Sequence, residues 1–121
     1  MKGVLIIAHG SRALETELTL DSIVSMVKTK LPGITIECAF MEFSDRTINN
    51  GLSLLVDKGI KEIIVIPYFL FMGNHLKKDI PDALNDFISE HPDVNISLQP
   101  PLGDDARLCD IIVDKIQTAN N

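Results

Sequence analysis

The length, composition and charge of the chain predict one folded domain and exclude several classes of protein. With 121 residues and 45% hydrophobic residues, the chain has room for a core that buries roughly two thirds of its unfolded surface, so we assign residues 1–121 to a single domain. The net charge of −6 excludes nonspecific nucleic-acid binding, which needs a dense cationic surface. The longest apolar run, residues 63–72, is about half of a membrane span, so we expect a cytoplasmic protein without a membrane partner.

Four strands and four helices are predicted to alternate along the chain. Apolar, β-branched runs predict strands over residues 3–8, 34–41, 63–72 and 94–98. Apolar residues at helical spacing predict helices that include residues 20–31, 48–56, 80–88 and 108–116. This βαβαβαβα order implies right-handed crossovers and a four-stranded parallel sheet with helices on both faces. Four strands make a small sheet, an α/β half domain for which we expect a partner.

Local signals mark the ends of several helices. Ser11 is predicted to cap the first helix and not to act as a nucleophile, because no G-x-S-x-G motif surrounds it. Lys58-Gly59 supplies a C-terminal cap for the second helix. Pro81 is expected in the first turn of the third helix, since a proline further inside would kink it. His91 ends that helix, where we assign it a capping or solvated role.

The two cysteines are predicted to be reduced residues of the core. Cys38 and Cys109 lie far apart in the sequence and form no C-x-x-C motif. This spacing argues against an iron–sulfur cluster or a zinc ribbon.

Two histidines and a glutamate follow three consecutive predicted strands. His9 follows the first strand, Glu42 the second and His75 the third. Because the carboxyl ends of parallel strands share one edge, these side chains are expected on one rim of the sheet, where ligands bind in open α/β folds. Imidazole and carboxylate groups are suitable ligands for Co²⁺, Ni²⁺, Fe²⁺ or Zn²⁺, and they also serve as general bases. The residues alone leave both roles open.

Four cations are also expected near this rim of an otherwise acidic protein. They are Arg12, Arg46, Lys77 and Lys78. Each alone has the character of a solvated surface charge, but together they indicate a local anion site.

Several segments together resemble one known family, the class II tetrapyrrole chelatases. They are Ala8-His9-Gly10-Ser11-Arg12, Phe40-Met41-Glu42-Phe43, the stretch from Pro67 to Pro81 with its G-x-H-x-x-x-D-I-P pattern, and Pro101-Leu102-Gly103. The likeness covers essentially the whole chain in the right order, and it is greatest to the short, single-domain sirohydrochlorin cobaltochelatases, the CbiX-like proteins.

The resemblance implies insertion of a divalent metal into sirohydrochlorin, on the route to cobalamin or siroheme. The metal is then a substrate, Co²⁺ by family habit with Fe²⁺ or Ni²⁺ as alternatives, and no organic cofactor or nucleotide is needed. The family's active-site histidines and glutamate match His9, His75 and Glu42, as catalytic residues and metal ligands. Which histidine binds the metal and which accepts a pyrrole proton stays open. Longer relatives hold two such domains, which implies a homodimer for this chain.

The resemblance also implies how the carboxylates of the macrocycle are held. The four cations and the backbone amides at helix N-termini would bind them. The candidate substrate-binding set is therefore Ser11, Arg12, Arg46, Gly73, Asn74, Lys77 and Lys78.

Three rival interpretations stand beside the chelatase. A histidine phosphotransfer enzyme places arginine directly before its histidine, where this chain has Ala8. A nucleotide-binding module needs a G-x-G-x-x-G motif or a P-loop, and neither occurs. The main alternative is a non-enzymatic metal-carrier or regulatory domain that uses His9 and His75 to hold a metal ion.

Overall fold

The chain folds into a four-stranded parallel sheet flanked by helices. A computed structural model describes residues 2–119, so Met1 and residues 120–121 of the predicted domain lie outside the described part. The strands are β1 (Lys2–Ala8), β2 (Thr35–Phe40), β3 (Glu62–Pro67) and β4 (Asn95–Leu98), and the helices are α1 (Leu14–Lys30), α2 (Ile48–Asp57), α3 (Asn74–Glu90) and α4 (Ala106–Ala119). All strand pairs are parallel, in the order β2-β1-β3-β4. The predicted α/β class and element order are confirmed.

The two faces of the sheet are covered to different extents. On one face, which we call the closed face, α2 and α3 pack Leu52, Leu55 and Ile80 against β1 and β3 in a large buried cluster. On the other, which we call the open face, α1 buries only Leu20 and Val24 over β1 and β2. The side chains of β3 on the open face are only half-buried.

The apolar stripe predicted on the last helix does not enter the core. No residue of α4 is buried, and Ile111, Ile112, Val113 and Ile116 are between 44% and 60% exposed. Cys109, on the same helix, is exposed, so its prediction as a core residue is wrong. Cys38 is buried, as predicted, and this burial raises the pKa of its thiol.

The third strand ends earlier, and the helix after it begins earlier, than the sequence predicts. Pro67 is the last strand residue. Two residues later, the Phe69 backbone amide donates to the Pro67 carbonyl (2.9 Å) instead of to a neighbouring strand. Gly73 is the N-cap of α3, and the Lys77 amide donates to its carbonyl (3.1 Å). Pro81 therefore lies inside α3, and its predicted place in the first turn is wrong.

The predicted helix ends are confirmed in part. His91 caps α3, its ring stacked on Phe87 with 3.9 Å between ring centroids. Lys58 is the C-cap of α2, and Gly59 follows with a φ of 85° that favours glycine. Within residues 2–119, no helix combines the length and the hydropathy of a membrane span.

Candidate functional site

His9 and Glu42 are brought together where β1 and β2 end. Beyond the last strand pair, the Met41 amide donates to the Ala8 carbonyl (2.9 Å) and the Glu42 amide donates to the His9 carbonyl (3.0 Å). The parallel pairing thus continues one step past the strands and sets the two residues side by side. Both side chains are exposed, so they are accessible from solvent at the rim where the sequence predicts them.

Gly10 allows the two strand ends to approach this closely. Its φ is 87°, in the left-handed region, and a Cβ placed on it would collide with the carbonyl oxygen of Glu42. Only a residue without a side chain fits between His9 and the loop that carries Glu42.

A largely apolar cavity of about 670 Å³ opens beside His9. Its volume is within the ordinary range for small-molecule sites. The cavity lies between the start of α1 and the loop of residues 68–73 that follows β3. Apart from Ala8, His9, Gly10 and Ser11, it is lined by Glu15, Thr16, Thr19, Leu20, Tyr68, Phe69, Leu70 and Phe71.

The ring of His9 is oriented by an aromatic neighbour. The ring of Phe69 meets it edge-on, with 5.0 Å between centroids and an interplanar angle of 88°. Phe69 is itself buried, so it forms a fixed wall behind an exposed imidazole. His9 is therefore positioned at the mouth of the cavity, with an imidazole that solvent, a proton or a metal ion can reach.

His75 lies in the first turn of α3, one residue after Asn74 and two after the N-cap Gly73. Its side chain is exposed, and it does not line the cavity beside His9. Nowhere in residues 2–119 do three His, Cys, Asp or Glu side chains stand close enough together to hold a metal ion. The proposed set of His9, Glu42 and His75 is thus on one rim but is not assembled as a metal centre within one chain.

The four predicted cations divide into two kinds. Arg46 donates from Nη1 to Glu17 (3.3 Å) and from Nη2 to Asp21 (3.0 Å), and these hydrogen bonds, that to Asp21 foremost, raise the pKa of Arg46. Lys78 pairs with Asp82 at 3.1 Å, which raises the pKa of Lys78. Both charges are thus already paired with carboxylates of the chain.

Arg12 and Lys77 form no ion pair with any other residue from 2 to 119. The guanidinium of Arg12 lies over the ring of Phe43, 5.0 Å from its centroid, a contact that leaves its positive charge uncompensated. These two cations are the better candidates for an anionic ligand.

Ser11 does not cap α1 as predicted. The N-cap is Ala13, two residues later, and the Ser11 hydroxyl accepts the Ala13 amide at 3.1 Å. Ser11 also hydrogen-bonds the Thr16 hydroxyl, which ties the residues after β1 to the first turn of α1. Its role in the structure is to shape this wall of the cavity.

Much of the cavity wall does not follow from the sequence patterns. Thr16 and Thr19 lie one turn apart on α1, a spacing that marks a shared helix face. Leu70 and Phe71 continue the apolar run of the third strand, so the sequence predicts them as strand residues. The signal that could have separated them is Pro67, which lacks the amide needed to continue pairing in a central strand.

Fold and rim together define an α/β protein in which a strand-end histidine opens onto an apolar cavity, with a carboxylate beside it. A family model described as CbiX matches residues 3–119, so the chain belongs to the CbiX family. The resemblance found in the sequence is thereby confirmed.

Individual relatives bear chelatase names. The chain is 37% identical over 115 residues to a chloroplastic sirohydrochlorin ferrochelatase of Arabidopsis thaliana, covering 95% of this chain and 51% of that protein. It is 28% identical to a sirohydrochlorin cobaltochelatase of Methanopyrus kandleri, covering 98% of this chain and 97% of that protein.

A solved structure agrees with the fold. The sirohydrochlorin chelatase SirB from Bacillus subtilis subspecies spizizenii, in complex with cobalt, matches with a TM-score of 0.89 and 26% identity, over 97% of this chain and 50% of SirB. The chain thus spans about half the length of SirB and of the Arabidopsis relative.

Proposed function

We propose that this protein is a sirohydrochlorin chelatase, which inserts a divalent metal ion into the macrocycle without an organic cofactor. The observation that carries the proposal is the position of His9, held by Phe69 at the mouth of an apolar cavity and next to Glu42. The names of the relatives supply the substrate. An apolar cavity suits the flat ring of a tetrapyrrole, and the groups at its mouth suit the chemistry at the centre of that ring.

Metal insertion requires two processes on one face of the macrocycle. The ion must exchange water for pyrrole nitrogen, and two pyrrole N–H protons must leave. A neutral imidazole serves as a weak, exchangeable ligand or as a proton acceptor, and a carboxylate serves likewise. His9, His75 and Glu42 supply these groups at one rim, with Arg12 and Lys77 available for the peripheral carboxylates. Ser11 and Gly73, in the loops that follow β1 and β3, and Asn74, the first residue of α3, contribute to substrate binding.

Cobalt is the metal that we favour, with Fe²⁺ and Ni²⁺ as alternatives. Relatives are named both cobaltochelatases and ferrochelatases. Histidine and carboxylate ligands accept all three ions, and affinity follows the general divalent order, so supply in the cell and site geometry decide between them. We place the reaction in the cytoplasm, although one relative is named a chloroplastic protein.

We further propose that the protein acts as a homodimer in which a second copy covers α4. Exposed isoleucines on α4 form an apolar stripe that no other element within residues 2–119 covers, and exposed stripes of this kind mark interaction sites. Leu14, Leu18 and Met26 add exposed apolar surface on α1, the other helix of the open face. A specific interface needs roughly 800 Å² from each partner, which two helices of this length can supply.

The chelatase is tested by absorbance, with sirohydrochlorin and Co²⁺, Fe²⁺ or Ni²⁺ in the absence of oxygen. We expect conversion above the spontaneous rate, and a loss of about a hundredfold or more in His9→Ala and His75→Ala. Glu42→Gln, which keeps size and removes charge, should also slow the reaction. The matched control is His91→Gln, because His91 packs on Phe87 at the other end of α3.

The same experiment separates the metal-carrier alternative. A carrier would bind the metal alone, with no change of the macrocycle spectrum beyond the protein-free rate. A folded protein that accelerates insertion with none of the three ions would contradict the chelatase. Unchanged rates in both histidine variants would contradict the assignment of His9 and His75.

The homodimer is tested by light scattering of the Ile112→Asp variant. We expect twice the mass of one chain for the unmodified protein and a single-chain mass for Ile112→Asp, since a carboxylate cannot be buried unpaired in an apolar interface. The control is Leu54→Asp. Leu54 lies on α2, the helix that packs on the closed face, and its side chain is exposed to a similar extent as that of Ile112. A single-chain mass for the unmodified protein at all concentrations would refute the dimer.

A further inference from the structure

The loop of residues 68–73 is fixed at its base. The Tyr68 amide donates to the Ile7 carbonyl at 2.7 Å, and the Leu102 amide donates to the Phe69 carbonyl at 2.9 Å. The side chain of Phe69 is buried against His9. The first residues of the loop are therefore held by β1 and by the loop that follows β4.

Phe71 is held out at the tip of this fixed loop. It is 83% exposed, against 51% for its neighbour Leu70. A single exposed apolar side chain is common on protein surfaces. Leu70 and Phe71 both line two cavities: the one beside His9, and a second of about 630 Å³ that is also lined by Lys77 and Pro81. The two residues thus form a ridge between the cavities, and Phe71 is its more exposed side chain.

Both sides of this ridge are largely apolar, and they differ in the ionisable groups that they carry. On one side lie His9 and the apolar wall, and on the other lies Lys77, which has no ion pair within residues 2–119. A ligand that fits both sides has a flat apolar ring and an anionic group at its edge. A tetrapyrrole with peripheral carboxylates has this combination.

We propose that Phe71 is a substrate-binding residue that packs on the face of the tetrapyrrole ring while Lys77 binds a carboxylate at its edge. The inference rests on the proposed chelatase function and goes beyond it by assigning a residue to ring binding. Aromatic rings stack favourably in offset or edge-on arrangements, and an exposed phenyl group is ready to do so without displacing other contacts. Phe71 thus governs affinity for the macrocycle and not the chemistry at its centre.

The test is a titration of metal-free sirohydrochlorin, followed by absorbance, into the full chain and its variants, combined with steady-state rates. We expect Phe71→Ala to raise both Kd and KM about tenfold, with kcat within about twofold. Phe71→Trp should restore tight binding. Leu54→Ala, an exposed apolar residue of α2, is the control and should bind as the unmodified protein does.

Ionic strength distinguishes the contribution of Lys77 to binding from that of Phe71. The effect of Lys77→Gln on Kd should shrink between low and high ionic strength, because exposed charges are screened, whereas the effect of Phe71→Ala should not. Unchanged Kd in Phe71→Ala, with the unmodified protein active, would overturn the assignment of Phe71 and leave the chelatase standing. A fall in kcat with unchanged KM would overturn it too. Failure of the unmodified protein to bind or metallate the macrocycle would overturn both proposals.

Discussion

The two faces of the sheet differ in what covers them. On the closed face, α2 and α3 pack a continuous cluster against β1 and β3, with Leu52, Leu55 and Ile80 fully buried. On the open face, α1 covers β1 and β2, while α4 buries none of its side chains. The closed face is completed by the chain itself, and the open face presents apolar surface that a partner can cover.

This difference separates residues that support the fold from those that support assembly. Burial of apolar area is the main source of stability, so side chains of the closed cluster contribute to unfolding free energy in one chain. Apolar side chains of α4 gain burial only when something else covers them. The buried face of α2 and the exposed stripe of α4 carry similar apolar residues. Only their surroundings decide whether these residues stabilise the fold or an interface.

The largest expected effect contrasts Leu52→Ala with Ile112→Ala. Leu52 is fully buried in the closed cluster, so its truncation leaves a cavity and should lower the free energy of unfolding by about 3 kcal/mol. Ile112→Ala, on exposed α4, should change it by less than about 0.5 kcal/mol. Urea unfolding of dilute protein, where a dimer is dissociated, measures both.

Circular dichroism before the titration establishes that each variant is folded. Equal losses of unfolding free energy in the two variants would show that α4 is packed in one chain as firmly as α2. The contrast between the two faces would then be wrong.

The sequence was sufficient to predict element order, sheet type and most of the core. Its signals are local: β-branched runs for strands, helical spacing for α2 and α3, and Gly59 for a helix end. It failed at β3, where the apolar run from Ile63 to Met72 is continuous although pairing stops at Pro67. It also failed at α4, because an amphipathic stripe predicts that a surface is buried but not that the same chain buries it.

The candidate site was predicted in part for a similar reason. Strand ends of a parallel sheet share an edge, so the proximity of His9 and Glu42 follows from their order alone. Which cations are free does not, because Arg46 is paired with residues 25 and 29 positions away. Such pairing depends on how α1 packs beside the loop after β2, which no local pattern reveals.

A smaller effect is expected from Arg46, which joins α1 to that loop on the open face. Arg46→Gln should lower the free energy of unfolding by less than about 1 kcal/mol, because its ion pairs with Glu17 and Asp21 are partly exposed. Added salt should reduce the loss. Thermal unfolding at two ionic strengths measures it, with Lys61→Gln as the control, since Lys61 pairs with Asp93 only at 3.5 Å on an exposed surface. A loss as large as that of Leu52→Ala would mean that ion pairs, and not apolar packing, hold α1 in place.

The reactivity of the two cysteines tests the open face in the unmodified protein, so that no substitution perturbs the core. Cys38 lies under α1, where burial raises the pKa of its thiol and keeps it in the unreactive protonated form at neutral pH. Cys109 lies on the exposed α4. In dilute protein we expect a thiol reagent to modify Cys109 rapidly and Cys38 only when the chain unfolds, as measured by mass spectrometry of the labelled peptides.

Concentration then distinguishes protection by the fold from protection by a partner. If a second copy covers α4, the labelling of Cys109 slows as the protein concentration rises, whereas that of Cys38 does not change. In Ile112→Asp, Cys109 should react at the dilute rate at every concentration. Equal labelling of Cys109 at all concentrations in the unmodified protein would place the interface elsewhere, and rapid labelling of Cys38 would show that α1 does not seal its half of the open face.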